Sequence, residues 1–176
     1  MNFLFVCTGN SCRSPIAEYY FKQLCKQNNL PEVTTASAGT KAEEGREAPE
    51  LSVQLFKLLG LDISSHRSTP LSAELVENAD AIIAMGHDHV DHILNNYPAA
   101  ADKTRTLMSL LDSEIDVNDP HNGDLNDFEA TFLSMMPALA ELGDRVIRSK
   151  QENLRLNQIA NDLESQEEID EDLEEL

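Results

Sequence analysis

Basic residues are scarce in this 176-residue chain: 13 Lys and Arg stand against 32 Asp and Glu, a formal charge of −19. Such a field repels phosphate backbones and anionic lipids, so neither nucleic acid nor a membrane surface is an expected partner. No apolar run approaches the roughly 20 residues a membrane-spanning helix needs. The opening Met1-Asn2-Phe3-Leu4-Phe5-Val6 is short and lacks the positive flank of a secretory signal. Cysteine is sparse and odd in number, three in all. That count argues against a disulfide framework and for a reducing, cytoplasmic setting. Tryptophan is absent, and the only tyrosines are Tyr19, Tyr20 and Tyr97.

What is present alternates between two periods. Residues 2–6 are an apolar run closed by Thr8-Gly9-Asn10, which reads as a strand entering a tight loop. Ser14-Pro15 reads as the N-cap and first residue of a helix reaching about Asn28. Val33–Ala36 is a second strand, and residues 40–48 a polar loop. Pro49 precedes a helix that Gly60 stops, and Ser72 caps a short helix to Asn78. Ala81–Met85 is compact enough for a buried parallel strand. A helix to about Asn95 and a short strand over Thr104–Leu107 follow. Phe128, Phe132, Met135, Leu139, Leu142 and Val146 then mark an amphipathic helix over 127–148, kinked at Pro137.

This alternation predicts an α/β fold: one domain, a parallel sheet covered by helices on both faces, with the site at the carboxyl ends of the strands. The domain spans 1–150. Residues 151–176 form an acidic C-terminal extension, helical or disordered, because dense like charge opposes a packed core. Its last thirteen residues, from Glu164, hold eight carboxylates and no Lys or Arg, which leaves the rest near −11 of the total −19.

The most informative stretch is Cys7-Thr8-Gly9-Asn10-Ser11-Cys12-Arg13-Ser14. A thiol ends a strand, a tight turn containing Gly9 follows, and an arginine opens a helix. The backbone N–H groups of such a loop face inward as an anion nest, reinforced by the positive end of the helix. That field favours the thiolate, which is the nucleophilic form. Arg13 can grip two phosphoryl oxygens in its planar fork. The arrangement suits attack on phosphorus. Leaving-group departure needs an acid, and Asp119 supplies one in a polar loop where Pro120 stiffens the turn.

With its flanks, Val6 to Glu18 resembles the signature of the low molecular weight protein phosphatases. Ser37-Ala38-Gly39-Thr40, Asp62 to Ser68, Ala79-Asp80 before an apolar strand, and Asp119-Pro120 extend the resemblance over about residues 1–150. It implies a four-stranded parallel sheet and a two-step reaction that uses no metal and no cofactor. Cys7 would attack phosphorus, Arg13 would hold its oxygens, and Asp119 would act first as acid and then as base. Thr8, Gly9, Asn10, Ser11, Cys12 and Ser14 would form the phosphate-binding loop. Ser14 would hydrogen-bond the Cys7 thiolate, and His66 would support Asn10, which holds the loop's strained backbone. The expected partner is a phosphorylated protein or peptide, met by a monomer or weak dimer.

Ser11 and His121 would form the substrate rim. Tyrosine-directed members usually carry a branched apolar residue at the position of Ser11 and a Tyr at that of His121. Ser11 is more similar to the small hydroxyl residue of the bacterial protein-arginine phosphatase branch, where it would leave room for a guanidinium and offer it a hydrogen bond. Phosphoarginine is therefore the favoured substrate and phosphotyrosine the alternative. Cys12 is placed for a reversible disulfide with Cys7. An arsenate reductase would need two further working cysteines, and Cys25 lies on the first helix.

Two rival readings weigh less. His87-Asp88-His89-Val90-Asp91-His92 matches a zinc pattern of metal-dependent hydrolases, but Ile93-Leu94 follow it where that pattern has glycines. A solvated, His-rich helix start is the simpler reading. An inactive phosphate-binding module would leave the thiol of Cys7 without a task.

Overall fold

The computed structural model describes the backbone of residues 1–174 and side chains through Asp162. Four strands, β1 (Asn2–Cys7), β2 (Thr34–Gly39), β3 (Ala81–Ala84) and β4 (Thr104–Thr106), form one parallel sheet in the order β2-β1-β3-β4. The chain leaves β1 to one side for β2 and returns to its other side for β3. The carboxyl end of β1 is thus a topological switch point, where a ligand crevice opens in sheets of this kind.

Helices α1 (Arg13–Gln27), α2 (Glu50–Leu58), α3 (Ala73–Asn78), α4 (His87–Asn96) and α5 (Leu125–Glu174) complete the fold. The pleat of β1 sorts its side chains between two cores. Phe3 and Phe5 meet Phe21 of α1 edge-on, with ring centroids 5.1 and 5.6 Å apart. Leu4 and Val6 point the other way, into a cluster with Val76, Ile82, Ala84 and Ile93. Both faces of the central strand are therefore buried, as a near-continuous apolar run requires.

Several boundaries differ from the sequence reading. Helix α1 begins at Arg13, with Cys12 as its N-cap and no side-chain cap bond. Ser14 lies inside the first turn, where its hydroxyl serves the loop instead. Pro15 still costs nothing there, because the N–H it lacks would have no helical partner. Strand β2 extends to Gly39, three residues beyond the expected end, because Ser37, Ala38 and Gly39 register against Phe5, Val6 and Cys7. Short 3-10 turns at Pro98–Lys103 and Met108–Leu111 had no counterpart in the hydrophobic pattern.

Helix α5 is 50 residues long and continues past both Pro137 and Lys150. Pro137 and Leu133 both lie on the exposed side, so the carbonyl that Pro137 leaves unbonded faces water. Two compact units divide the chain, Met1–Glu141 and Leu142–Leu176. The first contains the whole sheet and α1–α4. In the second, Leu154, Leu156 and Ile159 are exposed. The carboxylates from Glu164 onward, expected as a charged extension, lie outside the described side chains. Among the described residues no helix is long and apolar enough to cross a membrane.

Candidate active site

Cys7 ends β1 and Arg13 starts α1, so residues 8–12 turn the chain through the crevice at the switch point. Gly39 makes this turn possible. A Cβ there would stand 2.6 Å from the Thr8 carbonyl oxygen and 2.8 Å from the Asn10 nitrogen, closer than any side chain tolerates. The loop is also tied to the chain after β2, where Thr40 N–H donates to Cys7 O (2.9 Å) and Lys41 N–H to Thr8 O (2.8 Å).

Asn10 is fully buried with φ 50°, a left-handed conformation that asparagine tolerates better than most residues. Its amide nitrogen donates to Ser14 Oγ (3.0 Å) and Ser37 Oγ (2.8 Å), and its side-chain oxygen accepts from Thr69 N–H (2.8 Å). Its backbone oxygen meets His66 Nε2 at 2.8 Å. Four bonds from three segments hold one strained residue. Ser14 Oγ, so oriented, lies 3.0 Å from Cys7 Sγ.

Arg13 is buried although charged. One terminal nitrogen donates to Val117 O (3.2 Å); the other donates to Asp119 Oδ2 (2.6 Å) and to Thr8 Oγ1 (3.4 Å). Asp119 is held from its other oxygen by the His121 N–H at 3.1 Å. Pro120 is buried, and its carbonyl closes the turn to Gly123 at 2.8 Å. A loop more than 100 residues away in sequence thus places a carboxylate beside the thiol loop.

Cys7, Thr8, Gly9, Ser11, Cys12, Arg13, Asp119 and His121 share one cavity of about 190 Å³ with Arg46. Ser11 Oγ lies 3.8 Å from Cys12 Sγ on its wall. All three cysteines are free thiols. Burial pushes the Cys12 thiol up, and burial pushes Cys25 up to about 11. Burial likewise raises the Glu18 carboxyl, which accepts from Ser37 Oγ at 2.6 Å behind the loop.

The sequence reading missed Arg46 and His89. Arg46 sits in the patternless loop 40–48, pinned by Ser68: the Arg46 N–H donates to Ser68 Oγ (3.1 Å) and the Arg46 carbonyl accepts from the Ser68 N–H (2.8 Å). The sequence puts His89 on a solvated helix start; it is instead buried, with Nε2 2.9 Å from Thr8 Oγ1. The signal was its spacing of four from Ile93, which puts it on the buried face of α4. The His-x-His-x-Asp-His pattern does not converge. His87 turns outward to Asp116 (2.6 Å) and Glu114 (3.2 Å), and no group of three His, Cys, Asp or Glu able to hold a metal ion occurs among the described residues.

A parallel four-stranded sheet carrying a Cys-x5-Arg loop at its switch point, with an Asp-Pro turn above it, defines a cysteine-based phosphatase. Residues 2–153 match the low molecular weight phosphotyrosine protein phosphatase family, and the chain belongs to it. The protein-arginine-phosphatase of Bacillus subtilis (strain 168) is 35% identical over 153 residues, 85% of this chain and 99% of its own length. The low molecular weight protein-tyrosine-phosphatase Ptp of Acinetobacter johnsonii is 36% identical over 140 residues, covering 80% of this chain and 94% of that one. A solved structure of YwlE arginine phosphatase, a mutant with a phosphorylated active-site serine, matches with a TM-score of 0.81 at 32% identity, over 86% of this chain and 99% of that one.

Proposed function

We propose that Cys7 is the nucleophile, Arg13 the phosphoryl clamp and Asp119 the acid and base of a two-step hydrolysis, acting on phosphoarginine in proteins. The observation that carries this reading is the single cavity in which Cys7, Arg13 and Asp119 meet. The Cys7 thiolate attacks phosphorus, forming an S–P bond as the bond to the leaving nitrogen breaks. Asp119 gives that nitrogen its proton. Water then attacks the cysteinyl phosphate, Asp119 takes a proton from it, and phosphate leaves with the thiolate restored. Bonds and protons balance with these groups and water alone. A phosphoryl group in the loop would compete with Asp119 for Arg13, freeing the carboxyl to face the leaving group.

Thr8, Gly9, Asn10, Ser11, Cys12 and Ser14 form the phosphate-binding loop in this reading, with His66 and Pro120 in support. Phosphoarginine is favoured because the cavity wall is polar where a ring would need apolar contact: Ser11, Arg46 and His121 line it. The arginine-phosphatase relatives support the same choice. Phosphotyrosine is the second reading, supported by the tyrosine-phosphatase relatives. Residues 1–150 constitute the catalytic domain and 151–176 an acidic arm, in a cytoplasmic protein that is a monomer or weak dimer.

Parallel kinetics on phosphoarginine and phosphotyrosine peptides, with chelator present and Cys7→Ser as control, test this reading. Higher kcat/KM on phosphoarginine supports it. Preference for phosphotyrosine reverses the substrate, and activity surviving Cys7→Ser overturns the mechanism.

A further inference from the structure

His89 lies beneath the loop, 1% exposed, and is not among the residues the reaction above uses. Its two ring nitrogens meet opposite surroundings. Nε2 stands 2.9 Å from Thr8 Oγ1. Nδ1 makes no hydrogen bond of good geometry, yet Asp88 Oδ1 lies 3.0 Å away. A carboxylate oxygen at that distance repels a bare nitrogen lone pair and attracts an N–H. The neutral ring therefore carries its proton on Nδ1 and presents Nε2 as an acceptor.

That tautomer fixes the direction of a whole chain of bonds. With Nε2 bare, only the Thr8 hydroxyl can supply the proton between them. The Thr8 oxygen then keeps its lone pairs for Arg13, whose terminal nitrogen approaches at 3.4 Å. The same nitrogen donates to Asp119 at 2.6 Å. A proton added to His89 would oppose this order, since an Nε2–H would have to donate to Thr8 and turn its hydroxyl proton elsewhere.

We propose that His89 is a positioning residue: its bare Nε2 takes the Thr8 hydroxyl proton and turns the Thr8 oxygen toward Arg13, orienting the guanidinium that holds phosphate. This rests on the reading of the Cys7 loop as the active site. The neutral ring is consistent with its setting. Burial, reinforced by Arg13 and opposed by the Asp88, Asp116 and Asp119 carboxylates, holds His89 below the ordinary histidine range. Those are the charged groups facing it from α4, α1 and the loop after β4.

Nitrogen-15 NMR of histidine-labelled wild-type protein at neutral pH reads the tautomer directly, independent of turnover. The proposal expects Nδ1 protonated and Nε2 bare; a protonated Nε2 overturns it. The kinetic arm is a double-mutant cycle of His89→Leu and Thr8→Val, with His89→Gln as the conservative variant, since a glutamine oxygen can accept the same proton. His89→Leu is expected to lower kcat/KM about tenfold, the worth of one buried hydrogen bond. It should cost less than about twofold once Thr8→Val is present, while His89→Gln retains most activity. Additive losses, or no rescue by glutamine, would show that His89 acts through general packing and overturn the proposal. Wild-type protein inactive on both phosphopeptides would refute the proposed reaction, and the NMR tautomer would still decide the direction of the Thr8 bond.

Discussion

Cys12 and Cys7 share the floor of one cavity but differ in what they can start. Burial holds the Cys12 thiol protonated, so it is a poor first target for an oxidant. In the reaction proposed above Cys7 is the nucleophile, so a bridge between the two would begin there: peroxide converts its sulfur to sulfenic acid, and Cys12 sulfur displaces the hydroxyl as water. Mild peroxide is expected to give a Cys7–Cys12 disulfide, visible by peptide mass and reversed by a thiol, with activity restored. Cys12→Ser should make the loss irreversible. A wild-type protein losing activity with no bridge formed would contradict this. The thiol of Cys25, pushed up to about 11 by burial, should remain unmodified at neutral pH. At this scale the sequence singled out Cys7, Arg13 and Asp119 by residue type, and the structure brings the three to one cavity. It was a poor guide to Arg46, because the path of a loop depends on contacts distant in sequence, and at His89 the spacing of four from Ile93 was the local signal of burial. Ser14 shows the same limit: its hydroxyl has two uses, capping a helix or meeting a thiol, and only the path of Asn10 decides between them.

Among the elements, α4 organises the site from one end. His89 faces inward to Thr8, while His87 reaches out to Asp116, three residues before Asp119. Gly86 permits this approach, since a Cβ there would meet Asp116 Cγ at 2.9 Å. Hydrogen bonding to Asp116, with help from Glu114, raises His87 above its ordinary value of 6.5. A raised folded value means the link contributes fully below the ordinary value and is lost as pH rises through the raised one. Wild-type Tm should therefore fall on moving upward through that window, and His87→Gln should flatten the fall. An equal pH dependence in the variant would exclude the latch. The group is exposed, so the effect is small and screened by salt. Strand and helix identities were legible because β1 and β3 are short apolar runs closed by turn residues, and the 3.6 period survives in the first part of α5. The extension of β2 and the turns after β4 were not, since Ser37-Ala38-Gly39 is a strand only through its pairing with β1.

For the whole molecule, the formal charge of −19 acts at long range. Without the terminal acidic stretch the remainder still stands near −11 of that total. At low ionic strength kcat/KM should favour a basic phosphopeptide over an acidic one of equal length by about tenfold or more. Added salt should erase most of the difference by screening. Equal rates at low salt would leave the charge without a part in substrate choice. The central claim concerns Cys7, and covalent capture tests it most directly. Asp119→Asn should slow the step in which water is activated, so the intermediate accumulates on an aryl phosphate whose leaving group needs no acid. Rapid acid quench and peptide mass analysis should then find one phosphoryl group on the peptide containing Cys7, and none after Cys7→Ser. A phosphoryl group on another residue, or turnover with no phosphorylated peptide, would contradict the account.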